Sequence, residues 1–232
     1  NILSALGQHT KIVETGPQNR WMPAPEQIDA IAADVQGLLL ASPANPTGTM
    51  LEPARLRTII DVCRSQNLWF ISDEIYHGLT YGMPEDTALR YSDDVVVINS
   101  FSKYFSMTGW RIGWMIVPER LVRPIERLAQ NLYISPPTVS QIAAIGAFDA
   151  HDELQANKRS YMANRSLLLD ALPKIGLDKI VPADGAFYLY VDVGAYTNDS
   201  LAFAKRMLDE TGVAATPGVD FDAGRGSRFM RF

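Results

Sequence analysis

The chain has 232 residues, of which 47% are hydrophobic and 20% are charged, a composition typical of a globular protein with a sizeable core. Its formal net charge of −5 offers no basic surface to nucleic acid or to an anionic membrane, and no apolar run approaches the roughly 20 residues of a membrane-spanning helix. We therefore expect neither a nucleic-acid partner nor membrane association. The single cysteine, Cys63, cannot close an internal disulfide, which favours a cytoplasmic location.

Residues 11–117 alternate between short apolar runs and amphipathic helical stretches. The candidate strands are Ile12–Glu14, Gly37–Ala41, Trp69–Ser72, Val95–Asn99 and Ile112–Val117. The helical stretches between them are Pro25–Asp34 and Pro53–Gln66. This alternation predicts an α/β fold, with a mostly parallel sheet between two layers of helices.

After residue 118 the pattern becomes helical and then mixed. The predicted helices are Glu119–Asn131, Thr138–Ala147, Asp152–Leu172 and Ser200–Thr211, and the predicted strands are Phe187–Val193 and Phe229–Phe232. We expect a large domain over residues 1–150, followed by a linking helix and part of a smaller α+β domain over residues 151–232.

The two ends of the chain interrupt regular patterns. It begins without a methionine inside a helical stretch, Asn1–Leu6, and stops inside the apolar run Phe229–Phe232. A cut in mid-element would leave backbone groups unpaired. We therefore expect a fragment of a longer protein, with an incomplete large-domain sheet.

Polar residues follow three successive predicted strands. They form the stretches Ser42–Gly48, Asp73–Tyr76 and Ser100–Lys103, the last continuing to Thr108–Arg111. In an open α/β sheet, ligands bind at the carboxyl ends of the strands. The side chains expected at that edge are Asn45, Asp73, Tyr76, Ser100, Ser102, Lys103 and Arg111. Each alone is typical of a turn, a helix cap or a solvated surface, but together they predict a site.

These stretches resemble the class I/II aminotransferases, which are fold-type-I pyridoxal phosphate enzymes. The resemblance extends from Asn1 to Phe232. It rests on Asn45-Pro46-Thr47-Gly48, on Ser72-Asp73-Glu74-Ile75-Tyr76, and above all on Ser100-Phe101-Ser102-Lys103 followed by Arg111.

The resemblance implies that pyridoxal 5'-phosphate is the cofactor and that Lys103 is its Schiff-base lysine, which then moves a proton at the substrate Cα. Asp73 would pair with the pyridine nitrogen and keep it protonated. Tyr76 and Asn45 would hydrogen-bond the phenolic oxygen of the cofactor. The implied catalytic residues are thus Lys103, Asp73 and Tyr76.

The resemblance also implies an anion site and a substrate clamp. Ser100, Ser102 and Arg111 would hold the phosphate. Asn45 and Arg231 would bind substrate, with Arg231 on the α-carboxylate. The other arginines of the tail, Arg225 and Arg228, are interpreted as solvated loop charges.

The implied reaction is transfer of an amino group between an L-amino acid and a 2-oxo acid, in the manner of the aspartate/alanine/aromatic-type branch. The substrate side-chain pocket, the phosphate loop and the aromatic that stacks on the cofactor would lie largely in absent N-terminal segments. Family members are usually homodimers, so a homodimer is expected. No metal site is predicted, because His9, His77 and His151 lack metal-ligand spacing.

Two alternatives remain open. A carbon–sulfur lyase of the same fold would use the same cofactor residues. The aminotransferase-like sensor half of a winged-helix transcription regulator would also retain Lys103, and its DNA-binding module would precede this chain.

Overall fold

The protein is described by a computed structural model over residues 2–232, and it contains two β-sheets with helices around them. The α-helices are α1 (Ile2–Ala5), α2 (Pro25–Asp29), α3 (Pro53–Ser65), α4 (Glu119–Leu132), α5 (Thr138–Ala147), α6 (His151–Lys174) and α7 (Ser200–Thr211). The strands are β1 (Gly37–Ala41), β2 (Trp69–Asp73), β3 (Val96–Ser100), β4 (Gly113–Ile116), β5 (Tyr190–Asp192), β6 (Thr216–Pro217) and β7 (Phe229–Arg231).

The first sheet has the strand order β1-β2-β3-β4. Strands β1, β2 and β3 are parallel, in the register Ala41↔Asp73 and Asp73↔Ile98. Strand β4 runs antiparallel to β3, with Asn99 opposite Trp114. Parallel strands need a crossover connection, usually a helix, whereas β3 and β4 are joined by a loop with a single 3-10 turn at Thr108–Trp110. The sheet is therefore mostly parallel, as predicted, with an antiparallel last strand.

Helix α3 packs on this sheet and closes the larger core. It begins with Pro53 at its first turn and ends before Asn67, which adopts a left-handed φ of 55°. Its buried face contributes Ile59 and Ile60, each stabilising by about 1.5–3 kcal/mol. Cys63 lies in the same core, where burial raises the pKa of its thiol to about 11.

The second sheet has the order β5-β7-β6 and is antiparallel throughout. One of its faces packs Val191 and Met230 into a core with α6 and α7. Tyr190 and Phe229 stack on each other at 4.8 Å between ring centroids, and both make T-shaped contacts with Trp21. The segment before α2 therefore packs against the second sheet.

Three predicted elements differ from the structure. Residues 12–14 lie in coil rather than in a strand, and the Ile12 side chain is 83% exposed, so burial does not support a strand there. The predicted helix Pro25–Asp34 divides into α2 and a 3-10 turn, because Ile31 leaves helical geometry (φ −111°, ψ 1°). The predicted strand Phe187–Val193 is regular only over β5. Of the predicted first helix, Asn1 lies outside the described residues.

Helices α4 and α5 expose a broad apolar surface. Its members are Leu132, Tyr133, Ile134, Val139, Ile142, Ile145 and Phe148. Their exposed fractions range from 60% to 79%, and so many exposed apolar side chains on neighbouring elements are typical of an interaction surface. Over residues 2–232, none of the helices has both the length and the apolar character that crossing a bilayer requires.

Candidate active site

The carboxyl ends of β1, β2 and β3 form one edge of the first sheet, with Asp73 at its centre. The Ser42 N–H donates to the Asp73 carbonyl (3.2 Å), and the Glu74 N–H donates to the Ile98 carbonyl (2.9 Å). The parallel register thus brings the loops after all three strands to the same side.

Asp73 is a partly buried carboxylate at this edge. Its Oδ1 accepts a hydrogen bond from the Ile75 N–H at 3.1 Å. Burial raises the pKa of Asp73 and the adjacent Glu74 adds to the rise, whereas the Ile75 N–H and His77 oppose it. A cationic partner beside Asp73 would favour its ionised form.

Tyr76 and Lys103 lie together above this edge. Tyr76 is 4% exposed, and its hydroxyl is 2.8 Å from that of Tyr188. Burial, followed by this hydrogen bond, raises the pKa of Tyr76, so its phenol stays neutral. The Lys103 Nζ lies 5.7 Å from the centroid of the Tyr76 ring and 5.8 Å from that of Phe187. The lysine amine therefore lies against two aromatic rings.

The predicted anion-binding residues are connected by hydrogen bonds. The Ser100 Oγ is 2.9 Å from the Ser102 Oγ and accepts from the Ser102 N–H at 3.0 Å. The Thr108 hydroxyl donates to the Ser102 carbonyl (2.7 Å), and the Arg111 Nη1 donates to the Thr108 carbonyl (2.9 Å). The structure thus joins the two serines directly, while Arg111 is exposed and linked to them through Thr108.

Arg231, at the end of β7, reaches the loop after β1. Its Nη1 donates to the Asn45 Oδ1 at 2.6 Å, and its Nη2 donates to the Thr216 Oγ1 at 3.1 Å. The guanidinium carbon lies 4.3 Å from the Tyr188 ring centroid and 4.7 Å from that of Phe221. Asn45, in the loop after β1 of the first sheet, therefore meets Arg231, in β7 of the second sheet.

The other two arginines of the tail have different partners. Arg225 pairs with Asp222 at 2.8 Å, and Arg228 pairs with Asp192 at 2.9 Å. Both arginines are exposed. Of the three candidates in the tail, Arg231 is the one that contacts another predicted site residue.

The sequence prediction missed four residues of this region: Phe187, Tyr188, Thr216 and Phe221. The aromatic-rich run Phe187-Tyr188-Leu189-Tyr190 was a usable signal, because ligand pockets are lined mainly by hydrophobic and aromatic side chains. Thr216 and Phe221 carry no such signal, since their role depends on how β6 and the following turn pack beside Arg231.

Comparison with known proteins defines the family. The sequence profile described as Aminotransferase class I and II matches residues 8–232. The valine–pyruvate aminotransferase of Mycobacterium tuberculosis is 49% identical over 100% of this chain and 61% of its own length. A probable N-acetyl-LL-diaminopimelate aminotransferase of Bacillus subtilis is 32% identical over 95% of this chain and 56% of its own. The chain belongs to the class I and II aminotransferase family.

Solved structures agree with this assignment. An aminotransferase from Mycobacterium tuberculosis superposes with a TM-score of 0.96 at 49% identity, over 99% of this chain and 60% of that one. A putative aminotransferase from Silicibacter pomeroyi gives 0.94 at 53% identity, over 100% of this chain and 62% of that one. The chain thus has the aminotransferase fold and spans about three fifths of the length of these relatives.

Proposed function

We propose that the polypeptide containing this chain is a pyridoxal phosphate-dependent aminotransferase that moves an amino group between an L-amino acid and a 2-oxo acid. One observation carries the proposal. The Lys103 amine lies against Tyr76, whose hydroxyl meets Tyr188, and Tyr188 in turn covers the guanidinium of Arg231. A lysine and an anion-binding arginine thus lie on either side of one tyrosine pair, as a reaction on an α-amino acid requires.

The donor set fits pyridoxal phosphate. Burial disfavours the charge of Asp73, and a protonated ring nitrogen beside it would restore that charge. We propose that Asp73 holds the ring nitrogen and that Tyr76 and Asn45 bind the phenolic oxygen. Ser100, Ser102 and Arg111 would bind the phosphate. Pyridoxal phosphate, when bound, supplies an electron sink for charge that develops at the substrate Cα.

The residues of the chain then have distinct tasks. Arg231 binds the substrate carboxylate with the N–H donors that Asn45 and Thr216 leave free. Lys103 acts as the base and acid that moves a proton at the substrate Cα. The rings of Tyr76 and Phe187 cover the amine and restrict water around it.

We further propose a neutral, apolar amino acid as the donor. The relative at 49% identity is named valine–pyruvate aminotransferase, and the Phe187 ring near Lys103 offers an apolar surface. We also propose the division into a cofactor-binding domain over residues 1–150 and a second domain over residues 151–232, together with a cytoplasmic location.

Substitution of Lys103 tests the central proposal. In the full natural polypeptide with added pyridoxal phosphate, we expect a visible absorption band that responds to amino acids. The Lys103→Ala variant should lose this band and, because the proton carrier is gone, lose turnover by a factor on the order of 10³ or more. The matched control is Lys174→Ala, which removes an exposed lysine paired with Asp170 on α6 and should change neither. A band that persists in Lys103→Ala would contradict the proposal.

Product analysis separates the alternatives. Stoichiometric transfer of the amino group to a 2-oxo acid supports transamination, whereas release of ammonia with pyruvate and a thiol would indicate a carbon–sulfur lyase. A basic DNA-binding module preceding residue 1 in the full polypeptide would indicate a transcription regulator.

A further inference from the structure

A short segment, residues 182–188, connects the core of the second sheet with the active site; we call it the linking segment. Two of its residues, Phe187 and Tyr188, contact Tyr76, and the Tyr188 ring covers Arg231. The linking segment therefore positions Phe187 beside the Lys103 amine and Tyr188 over the Arg231 guanidinium.

Asp184 is the residue that fixes this segment through its side chain. The carboxylate is 14% exposed and pairs with the Arg20 Nη2 at 2.6 Å and 2.7 Å through its two oxygens. Its Oδ2 also accepts the Met50 N–H at 3.1 Å. One carboxylate thus joins the segment before α2, the loop after β1 and the linking segment.

The backbone around Asp184 makes further hydrogen bonds, to the loop after β1 and to the loop after β2. The Asp184 and Gly185 N–H groups both donate to the Gly48 carbonyl at 2.8 Å, and the Tyr81 N–H donates to the Asp184 carbonyl at 2.6 Å. The approach is close: a Cβ on Gly48, whose φ is 67°, would lie 2.6 Å from the Ala183 Cβ. This close packing means that a displaced Asp184 would move its neighbours as well.

Two of the four groups that contact Arg231, Asn45 and Tyr188, depend on this anchor. Asn45, which accepts a hydrogen bond from Arg231, lies in the loop that Asp184 holds at Gly48 and Met50. Tyr188, which covers the guanidinium, follows in the linking segment. The anchor thus connects two of the groups around Arg231, one from the loop after β1 and one from the segment before β5.

We propose that Asp184 is a positioning residue for substrate binding, which acts by holding Asn45 and Tyr188 in place around Arg231. This rests on the proposed function, because it assigns Arg231 to the substrate carboxylate. Asp184 itself contacts neither the substrate nor the cofactor in this proposal. Its loss should therefore affect the binding of carboxylates more than the binding of pyridoxal phosphate.

The experiment compares Asp184→Asn and Asp184→Ala with Asp192→Asn in the full natural polypeptide. Asp192 is a matched control, because it also pairs with an arginine (Arg228, 2.9 Å) and its side chain is 16% exposed. The measured quantities are the Kd for 3-methylbutanoate, a carboxylate that cannot react, the Kd for pyridoxal phosphate, and KM and kcat for the amino acid.

We expect Asp184→Ala to raise the Kd of 3-methylbutanoate and the KM by about tenfold, which corresponds to loss of one good polar contact. The Kd for pyridoxal phosphate should change less than twofold. Asp184→Asn keeps an acceptor for the Met50 N–H and should show a smaller rise. Asp192→Asn should leave all four quantities near the wild-type values. An unchanged carboxylate Kd in folded Asp184→Ala, or an equal loss of cofactor and carboxylate binding, would overturn the proposal.

A second readout does not depend on catalysis. Hydrogen exchange of the amides at residues 48–50 and 184–188 should accelerate in both Asp184 variants but not in Asp192→Asn. If the wild-type protein binds 3-methylbutanoate but does not transaminate, the proposed function fails while the anchor is still tested by exchange and by Kd. Unchanged exchange in the Asp184 variants would overturn the anchor alone.

Discussion

Among the single residues, Asp73 shows how burial sets both stability and function. Burial raises the pKa of Asp73 above that of an aspartate in an unfolded chain. The folded, cofactor-free protein therefore holds this proton more tightly than the unfolded one. In that case stability falls as pH rises from the unfolded pKa, about 3.9, through the raised folded pKa.

We predict that Asp73→Asn stabilises the cofactor-free polypeptide at pH 7, with a melting temperature higher by on the order of a few degrees. The amide removes the buried charge and its oxygen can still accept the Ile75 N–H. The same variant should lose transamination, because a neutral amide cannot keep a ring nitrogen protonated. Melting curves between pH 4 and pH 8 measure the effect. A pH profile identical to that of the wild type would contradict the assignment of the raised pKa to Asp73.

The residues of the site differ in how far sequence predicts them. Asp73 ends β2, and Asn45 and Lys103 lie in the loops after β1 and β3, so the parallel sheet alone brings these positions together. Tyr188 and Phe221 act by covering the guanidinium of Arg231, a contact between segments that are distant along the chain. Such contacts depend on tertiary packing, which local pattern does not specify.

Among the elements, the turn after β2 is stabilised by a buried carboxylate, that of Glu74. Glu74 is 3% exposed, and its Oε1 accepts hydrogen bonds from the Ser72 hydroxyl (3.0 Å), the Thr87 hydroxyl (3.2 Å) and the Ala88 N–H (2.9 Å). Its Oε2 lies 3.4 Å from the His77 Nδ1. Because Asp73 and Tyr76 flank Glu74 in this turn, the carboxylate secures two site residues at once.

We predict that Glu74→Ala lowers the free energy of unfolding by about 2–4 kcal/mol, because it leaves two buried donors and one half-buried donor without an acceptor. Glu74→Gln should lower the free energy of unfolding by less, since its amide oxygen still accepts hydrogen bonds from these donors. Urea denaturation of the full polypeptide measures both. The control is Glu210→Ala on α7, whose side chain is exposed and lies 3.9 Å from Arg206. Equal losses in the free energy of unfolding for Glu74→Ala and Glu210→Ala would contradict the role of the Glu74 carboxylate in holding the turn.

Element type was more predictable than strand direction. The apolar runs at β1, β2 and β3, and the proline that opens α3, specified those elements from local pattern. The direction of β4 was not readable, because it depends on the loop that returns the chain beside β3. The β5 strand begins later than predicted, since Phe187 and Tyr188 turn towards the active site instead of joining the ladder with β7.

At the scale of the whole molecule, the exposed apolar surface of α4 and α5 indicates that a partner binds there. We propose a second copy of the polypeptide, because Ile142 and Ile145 are 65% and 70% exposed on the same helix and resemble interface residues more than solvent-facing ones. The homodimer was predicted from the resemblance to the class I and II aminotransferases, and the chain belongs to that family.

We predict that the full polypeptide sediments as a dimer and that Ile142→Arg weakens the dimer by at least about tenfold, because it buries a charge at the interface. The control is Leu201→Arg on α7, which is also exposed, at 62%, but lies outside this surface. Analytical ultracentrifugation over a range of concentrations measures both. A monomeric wild type, or equal effects of the two variants, would show that something other than a second copy covers the surface.

The clamped guanidinium of Arg231 has a consequence for selectivity. Two rings and two hydrogen bonds from this chain hold it, so little side-chain entropy remains to be lost when a carboxylate binds. An amine without a carboxylate gains nothing from this preorganisation and would leave the Arg231 cation without a counter-ion. Decarboxylated analogues of the amino acid should therefore bind weakly chiefly because they leave the charge of Arg231 unpaired, and only secondarily because of the shape of the pocket.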